Sequence, residues 1–309
     1  MKKKLQTAAA AMMRKRKPTE GDKPNVAPAK KKAPPARKAA PRRPAAASPT
    51  AFGNQSNKGE FRPKIEKSST DDGDTRLNKF LAHCGICSRR AATDLIAEGA
   101  ILVNGVPAVE PGYRVQPNDQ VSFRGKLVKP TTHFIYVLLN KPKDTITTAS
   151  DERGRKTVLD IVGQTIKERI YPVGRLDRET SGLLLLTNDG DLAEKLSHPR
   201  RKVKKMYHVE LDRTLTEAHM KQIESGLTLE DGKMEIDSIG YVDGRNLKEI
   251  GIEIHSGKNR IVRRIFEHLG YEVRRLDRTY YGGLTKKDLP RGTYRSLTER
   301  EIVMLKHFT

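Results

Sequence analysis

The chain has 309 residues, with 60 Lys and Arg against 38 Asp and Glu, a formal net charge of +22. That balance calls for a polyanionic partner, most simply nucleic acid. Two cysteines and no tryptophan exclude a disulfide scaffold and fit a reducing cytoplasm. No apolar run approaches the roughly twenty residues of a membrane span. Lys2-Lys3-Lys4 before residues 5–13 imitates a signal peptide only faintly, because the apolar part is mostly alanine and Arg14-Lys15-Arg16-Lys17 follows at once.

The length suggests two domains and a tail. Residues 1–70 hold 19 Lys/Arg and 4 Asp/Glu, a net of +15, which leaves only +7 for the rest. Residues 1–74 are rich in Ala, Pro, Lys and Arg. Such a segment buries too little apolar surface to offset chain entropy, so it is expected to be a disordered basic tail. It reads as an arm for RNA phosphates, with a plain solubilising tail as the alternative.

Residues 75–130 read as a compact α+β unit. Leu77, Phe80 and Leu81 have helical spacing, with Thr75 as the expected cap and Gly85 as the stop. Ser88 caps a second helix with the apolar stripe Ala91, Ala92, Leu95 and Ile96, ended by Gly99. Ile101-Leu102-Val103, the turn Asn104-Gly105 and Val106 form a hairpin. Val115 and Val121–Phe123 supply further strand. Arg76, Lys79, Arg89 and Arg90 cluster at the helix ends. Cys84 and Cys87 lack the further ligands of a zinc site, and they close one helix and precede the next where a redox pair would open one, so both are assigned to packing.

Residues 131–309 read as one larger domain. Phe134 to Leu139 is a buried strand that ends at Asn140-Lys141-Pro142. Leu183 to Leu186, bounded by Gly182 and by Asn188-Asp189-Gly190, is a short strand buried on both faces. A helix near Asp191–Leu196 ends at His198-Pro199. Lys204 to Leu211 alternates as a strand should. Thr216 caps a helix that stops at Gly226. Strands are expected around Met234–Val242 and Leu247–His255, punctuated at Glu230-Asp231-Gly232-Lys233 and Asp243-Gly244-Arg245-Asn246. Val262, Ile265, Phe266 and Leu269 mark one face of a helix whose other side carries Arg260, Arg263, Arg264 and Glu267. Thr298-Glu299-Arg300-Glu301 is a capping box opening the last helix. The fold class is α+β, with a mixed, largely antiparallel sheet.

The chemistry is carried by little. There is no Walker loop, no Rossmann fingerprint and no HExxH. Asp71-Asp72-Gly73-Asp74 lacks the rest of a calcium loop. No metal or organic cofactor is expected. What remains is Asp177, a carboxylate between Arg175 and Arg178 on a polar loop tied to the rigid leucine strand, which is how a reactive side chain is held at the edge of a core. The string Arg175-Leu176-Asp177-Arg178 recurs as Arg275-Leu276-Asp277-Arg278, but the copy lacks the Thr-Ser-Gly and the leucine run, so the long context and not the short string carries the reading.

The segment RLNKFLAHCGICSRRAATDLIAEGAILVNG resembles the S4 RNA-binding domain. GRLDRETSGLLLLTNDG resembles the central motif of pseudouridine synthases of the RsuA/RluB type, and KKMYHVEL and GKNRIVRRIFEHLG follow in that family's order, from about residue 75 to the C-terminus. The resemblance implies that Asp177 is the catalytic aspartate, Tyr207 the active-site tyrosine, Arg263 the basic residue of the third motif, and Arg175 the arginine that holds the target nucleotide out of the helix. Ile261 departs from the polar residue many relatives carry there. Arg76, Lys79, Ser88, Arg89, Arg90, Lys258, Arg260 and Arg264 are the remaining RNA-binding candidates. The implied partner is ribosomal RNA or a ribosomal subunit precursor, acted on by a cytoplasmic monomer without a cofactor.

Uridine becomes pseudouridine when the N1–C1′ bond breaks, the base turns and C5 joins C1′, with no redox step. An ionised aspartate suits attack at either C1′ or the uracil ring, and both remain open. A nearby guanidinium such as Arg263 would offset the desolvation of that carboxylate. A noncatalytic ribosome assembly factor is the rival reading. A tyrosyl-tRNA synthetase, another S4-bearing enzyme, is disfavoured because HIGH and KMSKS motifs are missing.

Overall fold

The computed structural model describes residues 75–307 except Gln164 and residues 243–245. The expected tail, residues 1–74, and most of the expected turn Asp243–Asn246 lie outside the described residues.

The N-terminal part runs β1 (Thr75–Arg76), α1 (Leu77–His83), α2 (Arg89–Ala97), β2 (Ile101–Val103), β3 (Val106–Pro107), β4 (Arg114–Val115), β5 (Val121–Phe123) and β6 (Lys126–Leu127). Strands β3-β2-β5-β6 form one small sheet, and β1 pairs with β4. Leu77, Leu81, Ala92, Ile96, Ile101, Val115 and Val121 make the core between helices and strands. The Ser88 hydroxyl accepts from the Ala91 amide at 3.1 Å, so this cap is where the sequence puts it. The β2–β3 turn has Asn104 at φ 52° and Gly105 at φ 83°, the left-handed pair a two-residue hairpin needs. Thr75 does not cap α1. It pairs with Val115 inside β1, and Arg76 takes the cap position without a side-chain bond.

The remainder runs β7 (Tyr136–Lys141), α3 (Val158–Val162), β8 (Tyr171–Pro172), β9 (Ser181–Thr187), α4 (Gly190–Ser197), a 3-10 turn (Pro199–Arg201), β10 (Lys205–Leu211), α5 (Glu217–Glu224), β11 (Leu227–Leu229), β12 (Gly232–Met234), β13 (Ser238–Tyr241), β14 (Glu249–Ile254), α6 (Ile261–His268), β15 (Val273–Tyr281), β16 (Leu284–Thr285), β17 (Tyr294–Ser296) and α7 (Glu299–His307). A nine-stranded sheet has the order β13-β14-β10-β15-β9-β7-β17, with β16 on β15 and β8 on β9. The β15–β9 pairing is parallel, and its neighbours in the sheet are antiparallel, so the molecule is α+β with a mixed, mainly antiparallel sheet.

Strand β9 is buried along its whole length. Leu184 and Leu186 enter a core with Val137, Leu139, Val209, Ile250 and Phe266. Leu183 and Leu185 enter a second core with Tyr136, Leu138, Leu192, Leu196 and Leu305. Helices therefore cover both faces, which is why four leucines run on without alternation. Strand β7 begins two residues later than its apolar run suggests: Phe134 is 42% exposed and outside it, while Asn140 and Lys141 are inside and buried. The expected capping box of α7 is present, with Thr298 N donating to Glu301 Oε2 at 2.9 Å and Glu301 N to Thr298 Oγ1 at 3.3 Å. Lys79 on α1 pairs with Asp191 on α4 at 2.8 Å, and the Thr131 amide donates to the His83 carbonyl at 3.1 Å, so the N-terminal part is bonded to the larger sheet region. Among the described residues no helix is long and apolar enough to cross a membrane.

Candidate active site

Asp177 lies in the loop between β8 and β9. Its carboxylate is half-exposed, and Oδ2 lies 3.8 Å from Nη1 of Arg260. The loop is held from several sides. The Thr180 amide donates back to the Asp177 carbonyl at 3.1 Å, and the Asp144 amide donates to the Arg178 carbonyl at 3.0 Å. The Thr147 hydroxyl donates to the Leu176 carbonyl at 2.8 Å. Arg178 turns away from Asp177 and pairs with Asp144 at 3.0 Å. The carboxylate is thus left for Arg260 and not bridged between its flanking arginines.

Beneath the loop sits Lys141, the last residue of β7, fully buried. Its Nζ donates to the carbonyls of Thr180 at 2.8 Å, Asp177 at 3.0 Å and Pro142 at 3.1 Å, with Arg178 O farther off at 3.4 Å. Burial pushes this ammonium down to about 8, opposed by the charge of Asp177. These bonds fix the loop backbone at Asp177 and just after it, and tie it to Pro142 at the end of β7. Sequence reasoning missed this residue, because a lysine ending a strand ordinarily reaches water. The signal was the Lys-Pro that closes an otherwise apolar run.

Arg263 occupies the buried side of α6 together with Ile261, Val262, Ile265 and Phe266. This corrects the expected helix face, which put Arg263 on the solvated side with Arg260 and Arg264. The cap residue before the helix, Arg260, is in the left-handed region at φ 47°, and the buried face is wide enough to take in Arg263, one position round from Val262 and three before Phe266. Its Nη1 donates to the Val273 carbonyl at 3.0 Å, while its buried Nε has no partner. Burial and the neighbouring Arg260 push its pKa down, and Asp177 pulls it back up. Arg260, not Arg263, makes the ion pair with Asp177.

Tyr207 sits on β10, nearly buried, in the same apolar cluster as Leu176, Ile261 and Val262. Leu176 precedes Asp177, and Val262 precedes Arg263. One core cluster thus ties all three motifs together, although they lie far apart in the chain.

The chain matches the family model for RNA pseudouridylate synthase over residues 135–268 and that of the S4 domain over residues 75–121. It is 41% identical to ribosomal large subunit pseudouridine synthase B of Bacillus subtilis, over 75% of this chain and 95% of that protein. The chain belongs to the RNA pseudouridine synthase family. The synthase is also 34% identical to the dual-specificity RNA pseudouridine synthase RluF of Escherichia coli, over 76% of this chain and 79% of that one. A crystal structure of a pseudouridylate synthase superposes with a TM-score of 0.55 at 27% identity, covering 74% of this chain and 99% of the other.

The expected RNA contacts of the synthase divide into free and engaged groups. Arg175, Arg76, Arg89 and Arg90 are exposed. Lys79 is held by Asp191. Arg264 forms a two-pronged pair with Asp231 at 2.6 and 3.0 Å, and Lys258 donates to the Asp231 carbonyl at 2.8 Å. Arg260 reaches Glu267 at 3.4 Å as well as Asp177. The Ser88 hydroxyl is used as a helix cap. Burial pushes the thiol of Cys84 up to about 12 and raises that of Cys87, which suits side chains that pack and do not react.

Proposed function

We propose that this chain isomerises a uridine to pseudouridine in ribosomal RNA, of the large subunit, with Asp177 as the catalytic carboxylate. The reading rests on one observation above all: Asp177, Arg260, Arg263 and the strand of Tyr207 come together around a single apolar cluster. The large-subunit assignment follows the Bacillus relative.

The chemistry suits this set. The target base lies in folded RNA and must be extruded, and Arg175, exposed on the same loop as Asp177, helps hold it out of the helix. Asp177 then attacks C1′ or the ring. Either way the N1–C1′ bond breaks, C5 bonds to C1′, and the bond to Asp177 is broken again (displaced by C5 at C1′, or eliminated from the ring), so that the carboxylate is returned. The C5 proton leaves and N1 takes up a proton, and atoms and charge balance without an outside reactant. Negative charge that develops on the released uracil is met by fixed cations, Arg260 at the rim and Arg263 below it, in a site partly shielded from water. Tyr207 supplies a flat face for the turning base and a hydroxyl that assists loss of the C5 proton. Residues 75–130 serve as the RNA anchor and residues 131–309 as the catalytic domain. The protein acts as a cytoplasmic monomer on ribosomal RNA or a subunit precursor. Arg76, Arg89 and Arg90 meet phosphates by charge and shape.

Mapping pseudouridine in ribosomal RNA from a deletion strain tests this. One site is expected to be missing, to return with the wild-type chain and to stay missing with Asp177→Asn. No missing site would leave the chain as a noncatalytic RNA-binding factor, and full rescue by Asp177→Asn would remove that residue from the reaction.

A further inference from the structure

We propose that Arg278, in the repeat of the Arg-Leu-Asp-Arg string, is a positioning residue that holds the Asp177 loop and Tyr207 in register; the proposal rests on the isomerase reading above. Strand β15 lies between β10 and β9, so it joins the strand of Tyr207 to the strand that leaves the Asp177 loop. Arg278 is the cross-strand partner of Tyr207 on one side and of Gly182 on the other.

The approach to β9 is unusually close. Gly182 has φ +109°, and a Cβ there would collide with the backbone of Arg278 and come within 2.7 Å of Asp277 Oδ1. Arg278 Nε donates to the Leu183 carbonyl at 2.7 Å, and its guanidinium stacks over the Tyr281 ring at 4.7 Å. The neighbouring Asp277 is occupied by Ser181 at 3.1 Å, by Lys286 and by Arg291 at 3.4 Å. No carboxylate pairs with Arg278 among the described residues, and its buried Nη2 has no partner at all.

An arginine that is 3% exposed without a counter-ion is a poor way to stabilise a core. Its value here is geometric. A rigid planar fork anchored to Leu183 and to an aromatic face fixes the side chain opposite Tyr207, and cross-strand pairs of this kind touch. A displacement of about 1 Å between ring and carboxylate would slow the reaction by about 100-fold, and Arg278 is the side chain that bonds to one strand while facing the other.

The test compares Arg278→Met and Arg278→Lys in the full chain with a ribosomal RNA fragment. Conversion is followed by tritium release from C5-labelled uridine, and hydrogen exchange is followed over residues 174–184 and 205–211. The Met variant is expected to lose about 100-fold in kcat while KM stays within about threefold, exchange is expected to rise in both segments but not in α5, and Lys is expected to restore part of the rate. A Met variant with wild-type kcat, or one that changes KM alone, overturns the proposal. If Met does not fold, wild-type kcat in the Lys variant, which keeps the charge and loses the fork, overturns it too. If the wild type converts no uridine, the isomerase reading fails by itself. Exchange then decides for Arg278: a rise confined to the two segments supports positioning, and unchanged exchange removes it.

Discussion

Replacing Lys141 by methionine separates two large opposing terms. The ammonium sits fully buried beneath the Asp177 loop and is pushed down to about 8. Against an ordinary lysine value of about 10.4, that is a penalty of about 3 kcal/mol for carrying the charge near neutrality. The penalty is whole below pH 8. It shrinks as pH rises from about 8 to about 10.4, because the unfolded chain there binds the proton that the folded chain has released. Opposing it are bonds to the carbonyls of Asp177, Thr180 and Pro142 at 2.8 to 3.1 Å, each worth about 1 kcal/mol or a little more. Lys141→Met removes both terms. At pH 7 its stability is expected to lie within about 1.5 kcal/mol of wild type, and at pH 10 to fall behind by about 2.5 kcal/mol more. Urea unfolding followed by circular dichroism at both pH values measures this. A difference between the two proteins that stays flat with pH would refute the account of the buried charge. A loss above about 4 kcal/mol at pH 7 would mean that the carbonyl bonds outweigh it.

Gly182→Ala puts a methyl group into the backbone of β15 at a left-handed position, and a loss of about 3 kcal/mol or more in urea unfolding is expected. A loss below about 1 kcal/mol would show that the two strands part easily. The Arg295 guanidinium holds Glu301 down to about 2, so this pair stabilises the fold above the unfolded carboxylate range and is lost as pH falls through about 4.3 toward 2. Glu301→Gln is expected to destabilise by roughly 1–2 kcal/mol at pH 7 and by almost nothing at pH 2, read from melting curves at each pH. Removing residues 1–70, with their net +15, is expected to weaken RNA binding and flatten the slope of log affinity against log salt. An unchanged slope would leave that segment as a solubiliser.

Much of the architecture was legible because local physics and tertiary packing agree. The Ser88 cap, the Asn104-Gly105 turn and the Thr298–Glu301 box depend on neighbours within four residues, and each is in place. The leucine run of β9 declared its double burial by refusing to alternate. Thr75 failed as a cap because a distant strand claimed its backbone, which nothing nearby in sequence announces. Arg263 was put on the wrong helix face because charge suggests water, whereas the buried face of the helix is wide enough to include it beside Val262 and Phe266. Lys141 was invisible for the same reason. The repeated Arg-Leu-Asp-Arg string carries little in the sequence beside the longer context of Asp177, yet Asp277 and Arg278 lie against Ser181 and Gly182. A parallel pairing across some hundred residues leaves no local trace.

That pairing has a consequence for how the molecule comes into being. Until β15 is available, β9 lacks one neighbour and β10 lacks the strand that joins it to the leucines. A growing chain that has already displayed Asp177 therefore holds it on an unfinished sheet with open edges. Long-range closure of this kind is slow, and the sheet beside Asp177 is complete only once β15, in the C-terminal part of the sequence, has paired with β9 and β10.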